Sequence, residues 1–293
     1  MKNKIFEGIG TALITPFKEG KIDFDVLESL IEAQISDGVS AIIIAGTTGE
    51  CATLTDTERY ALFEATSGII RGRVKLIFGT GTNDTEAMLR HSREAERFSP
   101  DGLLVVTPYY NKGTEDGIVK HYESLIKVAN LPIIIYNVPS RTGVNISYSA
   151  LKRLSKHDCV AGIKEAGDSL SRYIALASLG DELPLYAGND NQIFTTLALG
   201  GAGAISVVSN VLTRDAVGIY DAFREGRWPE ARDRQVGMLD VIDALFCETN
   251  PAPVKWLMHA LGLIGDEIRL PLTMPSDRSK QIILEKYREY TGQ

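Results

Sequence analysis

Residues 132–165, PIIIYNVPSRTGVNISYSALKRLSKHDCVAGIKE, carry two short apolar runs with one helix-like stretch between them. The runs at 132–137 and 160–164 are continuously apolar rather than alternating, as expected of parallel strands buried on both faces. The stretch 147–156 reads as a short helix. Strand, helix and strand in this order make a crossover unit, which places the two strands parallel in one sheet.

The same alternation extends in both directions. Runs at 10–16, 40–45, 74–78 and 102–107 come before the unit, and runs at 183–187 and 204–208 come after it, eight in all. The segment 24–37 puts Val26, Leu27, Leu30, Ile31 and Ile35 on one helical stripe, and Gly38 stops it. Thr55-Asp-Thr-Glu58 is a capping box that opens a helix running to about residue 71. Helices at 84–98 and 115–129 follow the same rule, and shorter ones are expected at 169–179 and 192–199. Eight strands alternating with helices at this length predict an α/β protein with a closed (β/α)8 TIM barrel, in preference to an open doubly wound sheet. Helical pattern continues at 214–224, 230–246, 254–261 and 276–290, more than an eighth unit requires. The last three read as an added C-terminal helical bundle. The expected division is a catalytic barrel over 1–227 and a helical extension over 228–293.

The 293 residues are 44% hydrophobic and 24% charged, which allows a sizeable core. Net charge is −7 with no Lys/Arg block, so no nucleic-acid or acidic-membrane partner is expected. No window approaches the ~20 apolar residues of a membrane span, and the N-terminal stretch lacks a signal-like apolar run. Cys51, Cys159 and Cys247 are odd in number and scattered, which fits a reducing compartment and a cytoplasmic location.

Barrel active sites form where strands lead into helices. Those ends collect Gly46-Thr-Thr-Gly-Glu50, Thr107-Pro-Tyr-Tyr-Asn111, Tyr136-Asn-Val-Pro-Ser-Arg-Thr-Gly143, Ile163-Lys-Glu-Ala166, Gly188-Asn-Asp190 and Gly203-Ala-Ile-Ser206. Lys164 closes an apolar run, so its stem points toward the barrel mouth. Lysine in water has a pKa of about 10.4, and desolvation lowers it toward a free amine able to form an imine with a carbonyl. A strand-end lysine also snorkels to solvent, and position alone leaves both readings open. Tyr136 ends the preceding strand, about 4.8 Å away across the sheet, within reach to shuttle protons; it also reads as a core aromatic. The Gly46 turn with Thr47 and Thr48 suits a carboxylate, though it is also a common loop composition. Arg141 offers a fork for a second carboxylate, or is a surface arginine. Tyr109 and Tyr110 line the mouth or an interface.

Metal and nucleophile motifs are weak. His91, His121, His157 and His259 fall on helices or their ends, with no H-x3-H or C-x2-C spacing. No G-x-S-x-G elbow occurs, and Gly200-Gly-Ala-Gly203 precedes a strand, the reverse of a dinucleotide fingerprint. Cys51 reads as a small filler near the carboxylate loop.

Together these motifs, with Gly8-Ile-Gly-Thr-Ala-Leu-Ile-Thr-Pro-Phe17, Asn250-Pro-Ala-Pro-Val-Lys255 and Arg269-Leu-Pro-Leu272, resemble the dihydrodipicolinate synthase family of the pyruvate-dependent class I aldolases. The resemblance covers essentially the whole chain. It implies a lyase condensing pyruvate with aspartate 4-semialdehyde to 4-hydroxy-tetrahydrodipicolinate. Lys164 would form the Schiff base; Thr48, Tyr136 and Tyr110 would relay protons, Tyr110 from a neighbouring subunit. Thr47 and Thr48 would hold the pyruvate carboxylate and Arg141 that of the semialdehyde, with Gly188 and Ile205 lining the pyruvate pocket. It implies no metal or organic cofactor, and a homotetramer built as a dimer of tight dimers. Other pyruvate-lysine aldolases, acting on 2-keto-3-deoxygluconate or N-acetylneuraminate, are the alternative; sialic-acid lyases resemble the chain at the lysine and tyrosine, but Thr47-Thr48 and Arg141 favour the synthase. A non-catalytic barrel that binds a keto acid is a further alternative. One departure concerns regulation. Lysine-inhibited members often carry histidines at the positions of Asp56 and Arg59 and a glutamate near Ala87, whereas Asn83 and Tyr109 match, so weak or absent lysine feedback is expected.

Overall fold

The computed structural model describes residues 4–292; positions 1–3 and 293, the outer ends of the two expected units, lie outside the described residues. In chain order the strands are β1 (Gly8–Ala12), a small hairpin of β2 (Phe17–Lys18) and β3 (Lys21–Ile22), then β4 (Ala41–Ile44), β5 (Lys75–Gly79), β6 (Gly102–Val106), β7 (Ile133–Asn137), β8 (Val160–Glu165), β9 (Leu185–Ala187) and β10 (Gly203–Ser206). Strand β1 pairs in parallel with both β4 and β10, which closes the eight-stranded barrel β1-β10-β9-β8-β7-β6-β5-β4.

The apolar runs become strands because both faces are covered. Alternate residues divide between two clusters. Ile43, Ile77, Leu104 and Ile134 pack with Tyr136, Ala161, Tyr186 and Ile205 inside the barrel. Their neighbours Ile42, Ile44, Phe78, Leu103 and Ile135 pack outward against the helices. Helix Phe24–Ser36 buries Leu27, Leu30 and Ile31, and the chain turns away at Gly38 with φ 91°. Thr55 and Glu58 form the expected reciprocal capping box on helix Asp56–Ile70.

Four segments differ from the sequence expectation. The run at 10–16 is a strand only over Gly8–Ala12; Leu13 N–H still donates to Ile43 O, but the chain then leaves the sheet to build the β2–β3 hairpin. The run at 183–187 shortens to Leu185–Ala187, since Gly180–Glu182 forms a 3-10 turn and Pro184 has no N–H to give a ladder. The run at 204–208 is a strand over Gly203–Ser206, after which Val208–Asn210 winds into a 3-10 turn. The helix at 230–246 divides into Trp228–Gly237 and Leu239–Leu245.

Helices Ala252–Ala260 and Asp277–Thr291 complete the C-terminal part. The stretches flanking Ala252–Ala260 return to the barrel mouth, where Asn250 bonds Thr48 and Arg269 N–H bonds Glu50. Among the described residues, no helix is long and apolar enough to cross a membrane.

Candidate active site

Lys164 and Tyr136 lie side by side because β7 and β8 pair them in register. Both side chains project to the mouth yet stay buried, Lys164 at 4% and Tyr136 at 7% exposure. The Lys164 ammonium position is 4.4 Å from the Tyr136 ring centroid. Burial pulls the lysine down to about 8; Asp190 opposes this, and the Arg141 cation adds to it. Burial also pushes the Tyr136 phenol up, while Arg141 and the Thr47 hydroxyl beside it pull the other way. A cleft of about 680 Å3 opens over Lys164, lined also by Thr48, Tyr136, Arg141, Gly188 and Asn250. Its size suits a small keto acid with a second small substrate.

The two threonines of the Gly46 turn face different ways. Thr48 is buried and accepts a 2.9 Å hydrogen bond from Asn250 Nδ2. Thr47 is the threonine whose hydroxyl meets the Tyr136 phenol, and it lines an adjoining cavity of about 300 Å3 with Tyr109 and Arg141. The family resemblance implies Thr48 in the proton relay, whereas the fold sets Thr47 against Tyr136. Adjacent residues in a turn point to opposite sides, and no sequence pattern says which.

Arg141 sits in a one-turn helix, Pro139–Thr142, and Nη2 donates 2.7 Å to Asn250 O. Gly188 lines the main cleft, and only glycine fits there: a Cβ would stand 2.7 Å from both Ala166 Cβ and Glu165 O. Ile205 is fully buried in the inner cluster with Tyr136; the cleft wall at that strand end is Val207. Tyr110 does not reach the cleft of its own chain; it is 89% exposed, with φ 67°.

Four groups enter the site that sequence reading did not single out. Asp190 is buried near Lys164, its Oδ2 accepting Val207 and Val208 N–H at 3.0 and 2.9 Å. Glu165, the residue after the lysine, is sealed in by Arg172 at 2.7 Å, Asn137 at 2.8 Å and Gly167 N–H at 2.8 Å, which fixes the end of β8. Glu50 pairs with Lys255 at 2.6 Å under the carboxylate loop. Asn250 bonds two of the three carboxylate-binding candidates, Thr48 and Arg141. Glu50, Glu165, Asn250 and Lys255 fall within the recognised motifs, but nothing in their spacing signals these contacts. Among the described residues, no group of three or more His, Cys, Asp or Glu side chains is arranged to hold a metal.

A family model described as the Dihydrodipicolinate synthetase family matches residues 5–287. A 4-hydroxy-tetrahydrodipicolinate synthase of Alkaliphilus oremlandii is 43% identical over 286 residues, 97% of this chain and 99% of that protein. The crystal structure of dihydrodipicolinate synthase from Thermotoga maritima superposes with a TM-score of 0.96 at 38% identity, covering 98% of this chain and 99% of that one. A dihydrodipicolinate synthase from Acinetobacter baumannii, solved in complex with pyruvate, gives a TM-score of 0.95 at 33% identity over 98% and 99% of the two chains.

Proposed function

The chain belongs to the dihydrodipicolinate synthetase family, and from that premise we propose that it condenses pyruvate with aspartate 4-semialdehyde to 4-hydroxy-tetrahydrodipicolinate, a step of lysine and diaminopimelate synthesis. It is a lyase of the class I aldolase type. The observation that carries the mechanism is the buried Lys164 amine near the end of β8, with a pKa lowered by burial to about 8.

In this reading neutral Lys164 attacks C2 of pyruvate, and loss of water leaves an imine. Removal of a C3 proton gives the enamine, whose C3 attacks the aldehyde carbon of the second substrate. The substrate's own amino group then closes onto C2 and releases the lysine. Tyr136 stands next to the amine and moves the protons, exchanging them with Thr47. Thr48 donates to the pyruvate carboxylate, and Gly188 leaves room for it. Arg141 forks onto the semialdehyde carboxylate. Burial keeps the imine dry and the lysine uncharged often enough to react.

The wider assembly belongs to the same reading. Residues up to 227 make the catalytic barrel, and the part from Trp228 onward sends Asn250, Lys255 and Arg269 to its mouth. Four chains associate as two tight dimers in the cytoplasm. Tyr110 from one chain completes the relay of the next; its 89% exposure and left-handed backbone, fixed outward, support this.

Borohydride reduction in the presence of pyruvate tests the reading. Wild type gains the mass of reduced pyruvate on Lys164, and Lys164→Ala gains none. Arg141→Ala keeps the adduct and loses condensation by about 100-fold, the value of a charged hydrogen-bonded pair. Undiminished condensation in R141A would remove Arg141 from the semialdehyde site. A wild type that traps pyruvate but does not condense it with the semialdehyde would return the sugar-acid aldolases as the better assignment.

A further inference from the structure

Asn250 comes from the C-terminal part of the chain, yet it stands between the two groups assigned to the two substrate carboxylates. Its side-chain Nδ2 donates to Thr48 Oγ1 at 2.9 Å, across 202 residues of sequence. Its main-chain carbonyl accepts from Arg141 Nη2 at 2.7 Å. The residue is 5% exposed and lines both the main cleft and the adjoining cavity. Its Oδ1 is buried without a hydrogen-bond partner among the described residues.

The orientation has a chemical consequence. A hydroxyl that accepts from an amide N–H still holds its own proton. Thr48 is thereby left with an O–H to give, and the cleft it lines is the space over Lys164. With the opposite amide orientation Oδ1 would take that proton, and the hydroxyl would present only lone pairs to an anion.

We propose that Asn250 is a positioning residue that fixes Thr48 as a hydrogen-bond donor toward the keto-acid carboxylate, while its main-chain carbonyl independently aims Arg141 at the second substrate. This rests on the synthase reading of the cleft. The two halves separate by mutation, because a side-chain substitution removes the Thr48 contact and leaves the carbonyl that holds Arg141.

The test compares Asn250→Asp, Asn250→Ala and Thr48→Val in steady-state assays with each substrate varied. N250D keeps the shape but only accepts, so it draws the Thr48 proton away from the cleft. Its charge also repels the keto-acid carboxylate, and the share owed to Thr48 is the share that disappears when N250D is placed on Thr48→Val. KM for pyruvate rises about 10- to 100-fold, the loss expected when a hydrogen bond to a charged group is removed. N250A raises it less, about 3- to 10-fold, because the hydroxyl becomes undirected rather than reversed. KM for the semialdehyde moves less than about threefold in both. Placed on Thr48→Val, N250A adds nothing further to KM for pyruvate, since the group it positions is gone.

A packing role predicts the reverse order, with the truncated N250A worse than the isosteric N250D, and that order would overturn the proposal. So would N250D retaining the wild-type KM for pyruvate, or an N250A penalty undiminished on Thr48→Val. Should N250A fail to fold, the isosteric N250D and its effect on the two KM values carry the test alone. A wild-type protein that traps no pyruvate would sink the synthase reading itself, an outcome distinct from a normal wild type with indifferent Asn250 variants.

Discussion

At the scale of single residues, the reactivity of Lys164 is a question of how much time it spends uncharged. Its burial lowers the pKa from the ordinary 10.5 to about 8, with Asp190 pulling upward and Arg141 downward. In the proposed mechanism the neutral amine is the nucleophile, and its fraction falls about tenfold for each pH unit below that value. The rate of borohydride-trapped imine formation should therefore rise with pH and level off above about 8. Asp190→Asn removes the upward pull and should shift this limb to lower pH. A wild-type limb near 10.5 would mark a solvated lysine and contradict the buried geometry. The juxtaposition of Lys164 and Tyr136 at the mouth was legible in the sequence because a lysine and a tyrosine ending two adjacent apolar strands are chemically conspicuous. Asp190 and Asn250 are ordinary polar residues that acquire meaning only from their partners.

Elements are joined at the mouth by a buried ion pair. Glu50 ends the carboxylate loop, with φ 56°, and takes Lys255 Nζ at 2.6 Å and Arg269 N–H at 3.0 Å. Lys255, on helix Ala252–Ala260, also donates to Thr15 O at 3.1 Å and lies 4.5 Å from the Phe17 ring centroid. Burial lowers the Lys255 amine and Glu50 opposes it. Removing one partner strands the other in a dry site. Lys255→Met should cost about 3–5 kcal/mol in denaturant unfolding. A loss under about 1 kcal/mol would show that water reaches Glu50 there.

The helices Asp56–Ile70 and Thr85–Glu96 bear on regulation. Asp56 is engaged by His91 at 2.9 Å and Arg90 at 3.5 Å, and Arg59 by Cys51 O at 2.7 Å and Gly79 O at 3.2 Å. Ala87 presents no carboxylate to an ammonium group. Free lysine at sub-millimolar concentration should leave the steady-state rate above half its uninhibited value, and half-inhibition in that range would refute this reading of the site.

For the whole molecule, the exposed apolar groups are the guide to assembly. Tyr110 projects at one place, and Leu170 and Ile174 are exposed at 57% and 53% one turn apart on helix Leu170–Ala177. A tetramer of tight dimers needs two separate contact surfaces. Sedimentation should give a mass near four times 32.0 kDa, and charging Leu170 and Ile174 to aspartate should lower it if that face joins the dimers. A monomer at micromolar concentration would contradict the assembly.

The sequence by itself determined the barrel and the place of its mouth, and it offered Lys164 there as the candidate nucleophile. Each of these is written in local periodicity or in a residue type at a strand end, which short-range physics specifies. Tertiary structure decided which threonine meets Tyr136, what Asn250 holds and what closes beneath the carboxylate loop. The Asn250–Thr48 and Lys255–Glu50 contacts join positions 202 and 205 residues apart, and only closure of the barrel and the return of the C-terminal part over it bring them within hydrogen-bond range.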